Sequence, residues 1–339
     1  MHLFGNPSPR FTRWAVRSRS LDKPFVLVDI GVQGGIHPRW EALGDQLQVY
    51  GFDALEEAIR PLAAQAKPRR RYFAQALGDE DGERTLYLPS VSQSSSLYAP
   101  TNQSRYAVAP GVHDQQSRRT VAISRLDTLV ARGVLPPPDF IKIDCEGAEP
   151  EILAGSRATL ALGGILGVEI ETNFNVSPVL PQTHFWACYR ALLPARLLLF
   201  DLAFERTPFR TFTETASRLH RPSARLASIS RPSTFNVLLC RDFVLERRSP
   251  ASFPGPLGPA PAADQLIKLA IILELYGMLD AAYDVLAAFP DALNDRFSTE
   301  YAASLLVPGW RQLGESFLAR LWRRARYELT SRRFTGGSN

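Results

Sequence analysis

The residues best placed to do chemistry lie in the run Asp139–Leu153, DFIKIDCEGAEPEIL. A short apolar run passes into acids around a glycine and then into a helical pattern. Open α/β sheets place their ligands at the carboxyl ends of such strands. Asp144 and Glu146 are therefore expected at a site. Glu149 reads instead as an acid in a helix first turn, where the macrodipole favours it. Further acids close other apolar runs: Asp29 ends FVLVDIG, Asp53 ends QVYGFD, and Glu169 and Glu171 lie in GILGVEIE. Gly31, Gly34 and Gly35 follow Asp29, and glycine lets backbone approach a ligand closely. An acid ending the second strand is placed to accept hydrogen bonds from ribose hydroxyls. Together these residues point to a nucleoside-type ligand. The turn G-V-Q-G-G departs from the G-x-G-x-x-G dinucleotide fingerprint, and Asp29 would repel a diphosphate. A cationic sulfonium with an amino-acid tail suits such an acid-lined crevice better than NAD does.

A general base must lie within hydrogen-bond reach of the proton it takes. Asp144, Glu146 and Glu169 are the catalytic candidates. His184, in PQTHFWACYR, reads as packing beside Phe185 and Trp186; those aromatics, with Phe174, could also stack on a sugar ring. Hard oxygen ligands at Asp144, Glu171 and Asn173 are compatible with magnesium, but their spacing does not demand a metal.

Alternating apolar and helical stretches from Phe25 onward predict a doubly wound, mostly parallel α/β sheet. RLLLFDLAF and STFNVLLCRD are expected to pair antiparallel. SVSQSSSLYAPTNQ is too long for a simple connection and reads as a lid or binding loop, with its serines at Ser92–Ser96 over the cofactor or the acceptor. The expected organisation is an irregular basic lead-in (1–24), an α/β domain (25–248), a Pro-rich linker (249–263) and a small helical module (264–339).

The motifs VDIGVQGG, YGFD, ALGDEDGERTLYL, SSSL and FIKIDCEGAEPEILAG resemble, in order and spacing, those of the FkbM-type methyltransferases. The resemblance runs from about Phe25 to Asn173. It implies a class I methyltransferase (Rossmann-like) fold and S-adenosylmethionine-dependent O-methylation of sugars or natural products. By the same resemblance, Asp29, Gly31, Gly34 and Gly35 would lie at the methionine end of the cofactor. Asp53 would hold the ribose and the stretch Ala76–Gly78 would lie against the adenine, with Phe52, Ala76, Leu77 and Asp144 among the cofactor-binding residues. The chain has Val32-Gln33 where the family commonly has Asn in the glycine turn. It has Asp53-Ala54 where the family usually has Glu-Pro, which keeps the acceptor but shortens its reach. The alternative from another class is a catalytically silent cofactor-binding module that recruits a partner through its helical tail.

The 339 residues are 45% hydrophobic and 22% charged, as in ordinary globular proteins. No run of about 18 apolar residues predicts a membrane span, and the N-terminus lacks the apolar core of a signal peptide. Cys145, Cys188 and Cys240 are isolated, which predicts reduced thiols in a cytoplasmic protein. The net charge of +5 comes without a nucleic-acid recognition motif. Its densest basic cluster, Arg320–Arg333, could reach an anionic membrane surface as a peripheral helix. The expected partner is a small-molecule or glycan acceptor.

Overall fold

The computed structural model describes residues 9–89, 95–99, 115–172, 184–208, 230–253 and 258–307. Its centre is a seven-stranded sheet of β1 (Phe25–Ile30), β2 (Leu47–Asp53), β3 (Arg70–Ala74), β7 (Phe140–Ile143), β8 (Gly167–Thr172), β9 (Leu197–Pro208) and β10 (Ser230–Arg241). Their order is β3-β2-β1-β7-β8-β10-β9. β3, β2, β1, β7 and β8 pair in parallel, and β10 runs antiparallel to both β8 and β9. The expected antiparallel last pair is therefore present. β4 (Ala76–Leu77), β5 (Gly82–Pro89) and β6 (Gln115–Ser124) make a second sheet ordered β4-β6-β5. The run RYFAQAL, one β-prone stretch in the sequence, is split at Gln75 between the two sheets.

Side chains alternate faces along a strand, so sequence parity sorts the core. Val26, Val28, Ile30, Ile141, Ile143, Val168 and Ile170 belong to one apolar cluster. It is completed from α3 (Leu126–Ala131), α4 (Glu149–Ala154), α5 (Arg157–Ala161) and α6 (Phe185–Leu192). Phe25, Leu27, Val49 and Phe140 join the other cluster, with Trp40 and Leu43 of the 3-10 turn Pro38–Gln46. By the same alternation Asp29, Asp53, Lys142 and Glu169 lie on this second face.

The C-terminal helices complete that face. After α2 (Glu56–Ala64) and α7 (Phe243–Arg248) come α8 (Ala263–Leu275), α9 (Leu279–Ala288), α10 (Pro290–Leu293) and α11 (Thr299–Ser304). Every residue of α8 from Leu266 to Leu275 is buried, as expected of a helix apolar all round. This helical region shares one core with the sheet.

The lead-in is not irregular: Arg10–Arg17 forms α1. Its first turn is fixed by Glu274 of α8, which accepts the Phe11 and Thr12 N–H groups at 2.9 and 2.6 Å and the Thr12 hydroxyl at 2.7 Å. Helix N-termini leave such donors unpaired, and a buried carboxylate satisfies them. The expected linker contains the 3-10 turn Pro250–Ser252. No helix among the described residues is long and apolar enough to cross a membrane. The basic cluster Arg320–Arg333 lies outside the described residues.

Candidate active site

A cleft of about 370 Å³ opens at the carboxyl ends of β1, β2, β7 and β8. Its polar wall carries Gly31, Gln33, Asp53, Lys142, Asp144, Glu146, Glu171 and Asn236. Phe52, Ala76, Leu77, Leu86 and Leu97 line its apolar end. Its size, and polar groups converging opposite an apolar end, are those of small-ligand sites.

The first turn is shaped by Gly31. Its φ of 83° lies in the left-handed region, and a Cβ there would stand 1.9 Å from the Asp144 carbonyl oxygen. Only glycine permits so close an approach between the loops after β1 and β7. The Gly31 and Val32 N–H groups both donate to the Phe52 carbonyl, at 2.9 and 3.1 Å. Three adjacent strand ends are thereby tied together. Gly34 and Gly35 also have positive φ but do not line the cleft; they serve the turn.

Lys142 organises the charges beneath. Its Nζ lies 3.0 Å from Asp144 Oδ2, 3.7 Å from Asp29 Oδ1 and 3.4 Å from the Gly31 carbonyl. Burial alone would lower the Lys142 pKa, but the Asp29 and Asp144 charges outweigh it and raise it. Asp29 is buried below the cleft rather than lining it, and burial pushes its pKa to about 6 against the pull of Lys142. Lys142 is not among the residues expected from the sequence. The signal was its alternation with Asp144, two residues on along one strand face.

Around this pair the acids crowd. Glu171 is raised well above the usual carboxyl range, by burial first and then by the Asp144 charge and a hydrogen bond with Asp144. Glu146 rises to about 7 through burial and the Asp144 and Glu149 charges. Asp53 is raised by burial, while its Oδ1 accepts the Leu55 N–H at 2.8 Å. Glu149 opens α4, as expected of a first-turn acid, but it is enclosed rather than solvated. It accepts the Cys145 and Gly147 N–H groups at 2.9 and 3.0 Å, and burial lifts it to about 7.

Glu169 stands apart from the cleft and accepts a hydrogen bond from the Tyr276 hydroxyl of α8. Arg39 stacks over that tyrosine at 4.1 Å. His184 precedes α6 beside buried Phe185 and exposed Trp186, away from the cleft lining. Ser95 and Leu97 of the serine-rich stretch line the cleft, and Ser96 pairs with Tyr87. Tyr98 donates its hydroxyl to Glu151; residues 90–94 and 100–103 of that stretch, with Asn173, Phe174 and His113, lie outside the described residues. No cluster of three metal-ligating His, Cys, Asp or Glu side chains occurs among the described residues.

A sheet ordered 3-2-1, then two parallel strands, then an antiparallel strand wedged before the edge is that of the class I methyltransferases, and the cleft sits at its ligand-binding edge. Residues 38–187 match the model of the Methyltransferase FkbM domain. The resemblance to FkbM-type methyltransferases is thereby borne out over that span. Among solved structures, the chain is similar to the methyltransferase FkbM from Methylobacillus flagellatus KT, at 12% identity and a TM-score of 0.34. That match covers 70% of this chain and 48% of the other, so the chain spans about half the length of that relative. It is also similar to a precorrin-6y C5,15-methyltransferase from Geobacter metallireducens GS-15, at 10% identity and a TM-score of 0.31, over 68% of this chain and 87% of that one. Both likenesses are remote, and the strand order carries the fold assignment. No curated protein sequence matches the chain.

Proposed function

We propose that the chain is an S-adenosylmethionine-dependent O-methyltransferase acting on a hydroxyl of a sugar, glycan or natural product. The observation that carries the reading is the charge of the cleft. Asp53, Asp144, Glu146 and Glu171 line it, Asp29 lies just beneath, and Lys142 is the lysine among them. Such a wall favours a cationic ligand and disfavours a diphosphate. The donor set fits the cofactor. Asp53 at the end of β2 suits ribose hydroxyls, and Phe52, Ala76, Leu77, Leu86 and Leu97 suit an adenine ring. The Gly31 turn packs against the Asp144 backbone and keeps Gly31 in the cleft lining.

When bound, S-adenosylmethionine supplies an electrophilic methyl group. The chain's part is to hold the acceptor oxygen in line with that methyl and to take its proton. Glu146 suits the second task, since a base works best with a pKa near the working pH. Asp144, paired with Lys142, is already committed to holding charge in place.

Calorimetric titration tests the reading. S-adenosylmethionine should bind and NADH should not, and Asp53→Ala should weaken the sulfonium ligand markedly. Absence of binding would sink the proposal; unchanged affinity in Asp53→Ala would show the ribose assignment to be wrong. A screen of hydroxyl acceptors reading S-adenosylhomocysteine release then identifies the acceptor class.

A further inference from the structure

The turn between β7 and α4 is held more firmly than a mere connection requires. Glu146 occupies left-handed backbone, with φ 53°, a conformation disfavoured for residues with a side chain. Both sides of the residue are clamped. Ser96 Oγ, beside the cleft-lining Ser95 and Leu97, donates to the Glu146 carbonyl at 2.7 Å. Glu149 gathers the N–H groups of Cys145 and Gly147, on either side of Glu146. Strain kept in place by surrounding contacts marks a residue whose position matters. Here it puts the Glu146 carboxyl into the cleft wall.

The charges facing that carboxyl come from several elements. Asp144 ends β7, Glu171 stands on β8 and Glu149 begins α4. Asp53 lines the same cleft from β2. The cation among them, Lys142, is engaged by Asp29 and Asp144. Cys145, next in the turn, stays a neutral thiol because burial raises its pKa well above normal.

We infer that Glu146 is a proton switch set by the charge of the cleft's occupant: it releases its proton to solvent when a cationic ligand enters and regains one when the occupant is neutral. The inference rests on the methyltransferase reading above. A unit positive charge about 5 Å away lowers a carboxyl pKa by about two units at the effective dielectric of a protein. That would carry Glu146 from half protonated to ionised near neutral pH. The switch accounts for every atom of the turnover. The methyl–sulfur bond breaks with its electron pair going to sulfur, and an oxygen lone pair of the acceptor forms the new bond to carbon. The O–H electron pair stays on that oxygen, and its proton passes to Glu146. Beside the neutral thioether product Glu146 keeps the proton, and it discharges it to water when the next cationic ligand arrives.

Proton counting tests this without an acceptor. Full-length protein is titrated at pH 7 by calorimetry in two buffers of different ionisation enthalpy. S-adenosylmethionine should expel about half a proton per site, the share held by a carboxyl titrating near that pH. S-adenosylhomocysteine, whose sulfur is neutral, should expel markedly less. Glu146→Gln should still bind both and lose the difference between them. Equal proton counts for the two ligands in the unsubstituted protein would overturn the switch and leave the methyltransferase reading standing. Failure of either ligand to bind would overturn both. A difference that survives in Glu146→Gln but vanishes in Glu171→Gln would overturn the assignment to Glu146.

Discussion

Asp139 and Asp144 flank the same short strand, β7, and meet opposite surroundings. Asp139, at the amino end, accepts the Val26 N–H at 2.7 Å and the Lys268 ammonium at 3.0 Å. Lys268 also reaches Asp264 at 3.1 Å and the Pro24 carbonyl at 3.1 Å. Charges there are paired and their hydrogen-bonding capacity is used. Asp144, at the carboxyl end, has Lys142 on one side and raised acids on the other. Burial lifts the Asp139 carboxyl as well, but Lys268 pulls against it. One end is a foundation and the other is a set of charges poised to change. Sites built to move protons keep unmatched titratable groups close together, whereas structural ion pairs are closed.

The largest expected effects separate these ends. Glu146→Gln should cut S-adenosylhomocysteine release across a panel of hydroxyl acceptors by about 10²–10⁴-fold, the usual worth of a positioned base. Its unfolding free energy should be unchanged or higher, because a strained acid among acids is neutralised. Lys268→Met should do the reverse. It leaves the partly buried Asp139 and Asp264 without their cation, which costs up to about 3–5 kcal/mol in denaturant unfolding. Cofactor affinity in the protein that remains folded should hold. If Lys268→Met spared stability, or Glu146→Gln spared turnover, the division between the two ends of β7 would fail.

A smaller effect reads the same contrast through pH. Glu149 titrates near 7 when folded against 4.5 for the free carboxyl. Its folded pKa is raised, so its stabilisation is complete below about pH 4.5 and is lost as pH rises through about 7. For a group this buried the span is worth up to about 3 kcal/mol. Glu41, salt-bridged to Arg70 and Lys67 away from the cleft, behaves oppositely. Its pKa is held near 2, so its contribution is present above pH 4.5 and fades as pH falls. Stability should therefore decline between pH 4.5 and 7.5 for the unsubstituted protein and decline less steeply in Glu149→Gln, with Asp29, Glu146 and Glu171 supplying the rest. An unaltered slope in that variant would assign the decline to another group.

The parts of this arrangement visible in the sequence are those fixed by local pattern. Strands buried on both faces read as apolar runs, and each ended in an acid, so β1, β2, β7 and β8 and the acids at their tips were legible. What depended on neighbours was not. α1 is a helix whose first turn is capped by Glu274, more than two hundred residues away. Lys142 gained meaning only once register set it opposite Asp29 on β1 and Glu169 on β8. Glu149 is the first-turn acid its segment suggests, but nothing in that segment reveals that the turn folds over it. Asn236 reaches the cleft because β10 pairs it with Glu171. Gln75 ends one sheet and starts another because β4 finds β6, a partner beyond the serine-rich stretch.

Glu169 gives the finest test, because it lies between the two regimes. It shares a sheet face with Glu171, yet its carboxylate accepts from Tyr276 of α8, deep in the helical side of the core. That contact places it with the foundation. Glu169→Gln keeps an oxygen for the Tyr276 hydroxyl, so the hydrogen bond survives and unfolding should change by less than about 1 kcal/mol. Turnover should stay within about threefold, under 1 kcal/mol of barrier. A hundredfold fall at unchanged stability would move Glu169 into the proton path. The cleft would then extend beneath Lys142 to Tyr276, and the helical region would contribute to the chemistry as well as to the core.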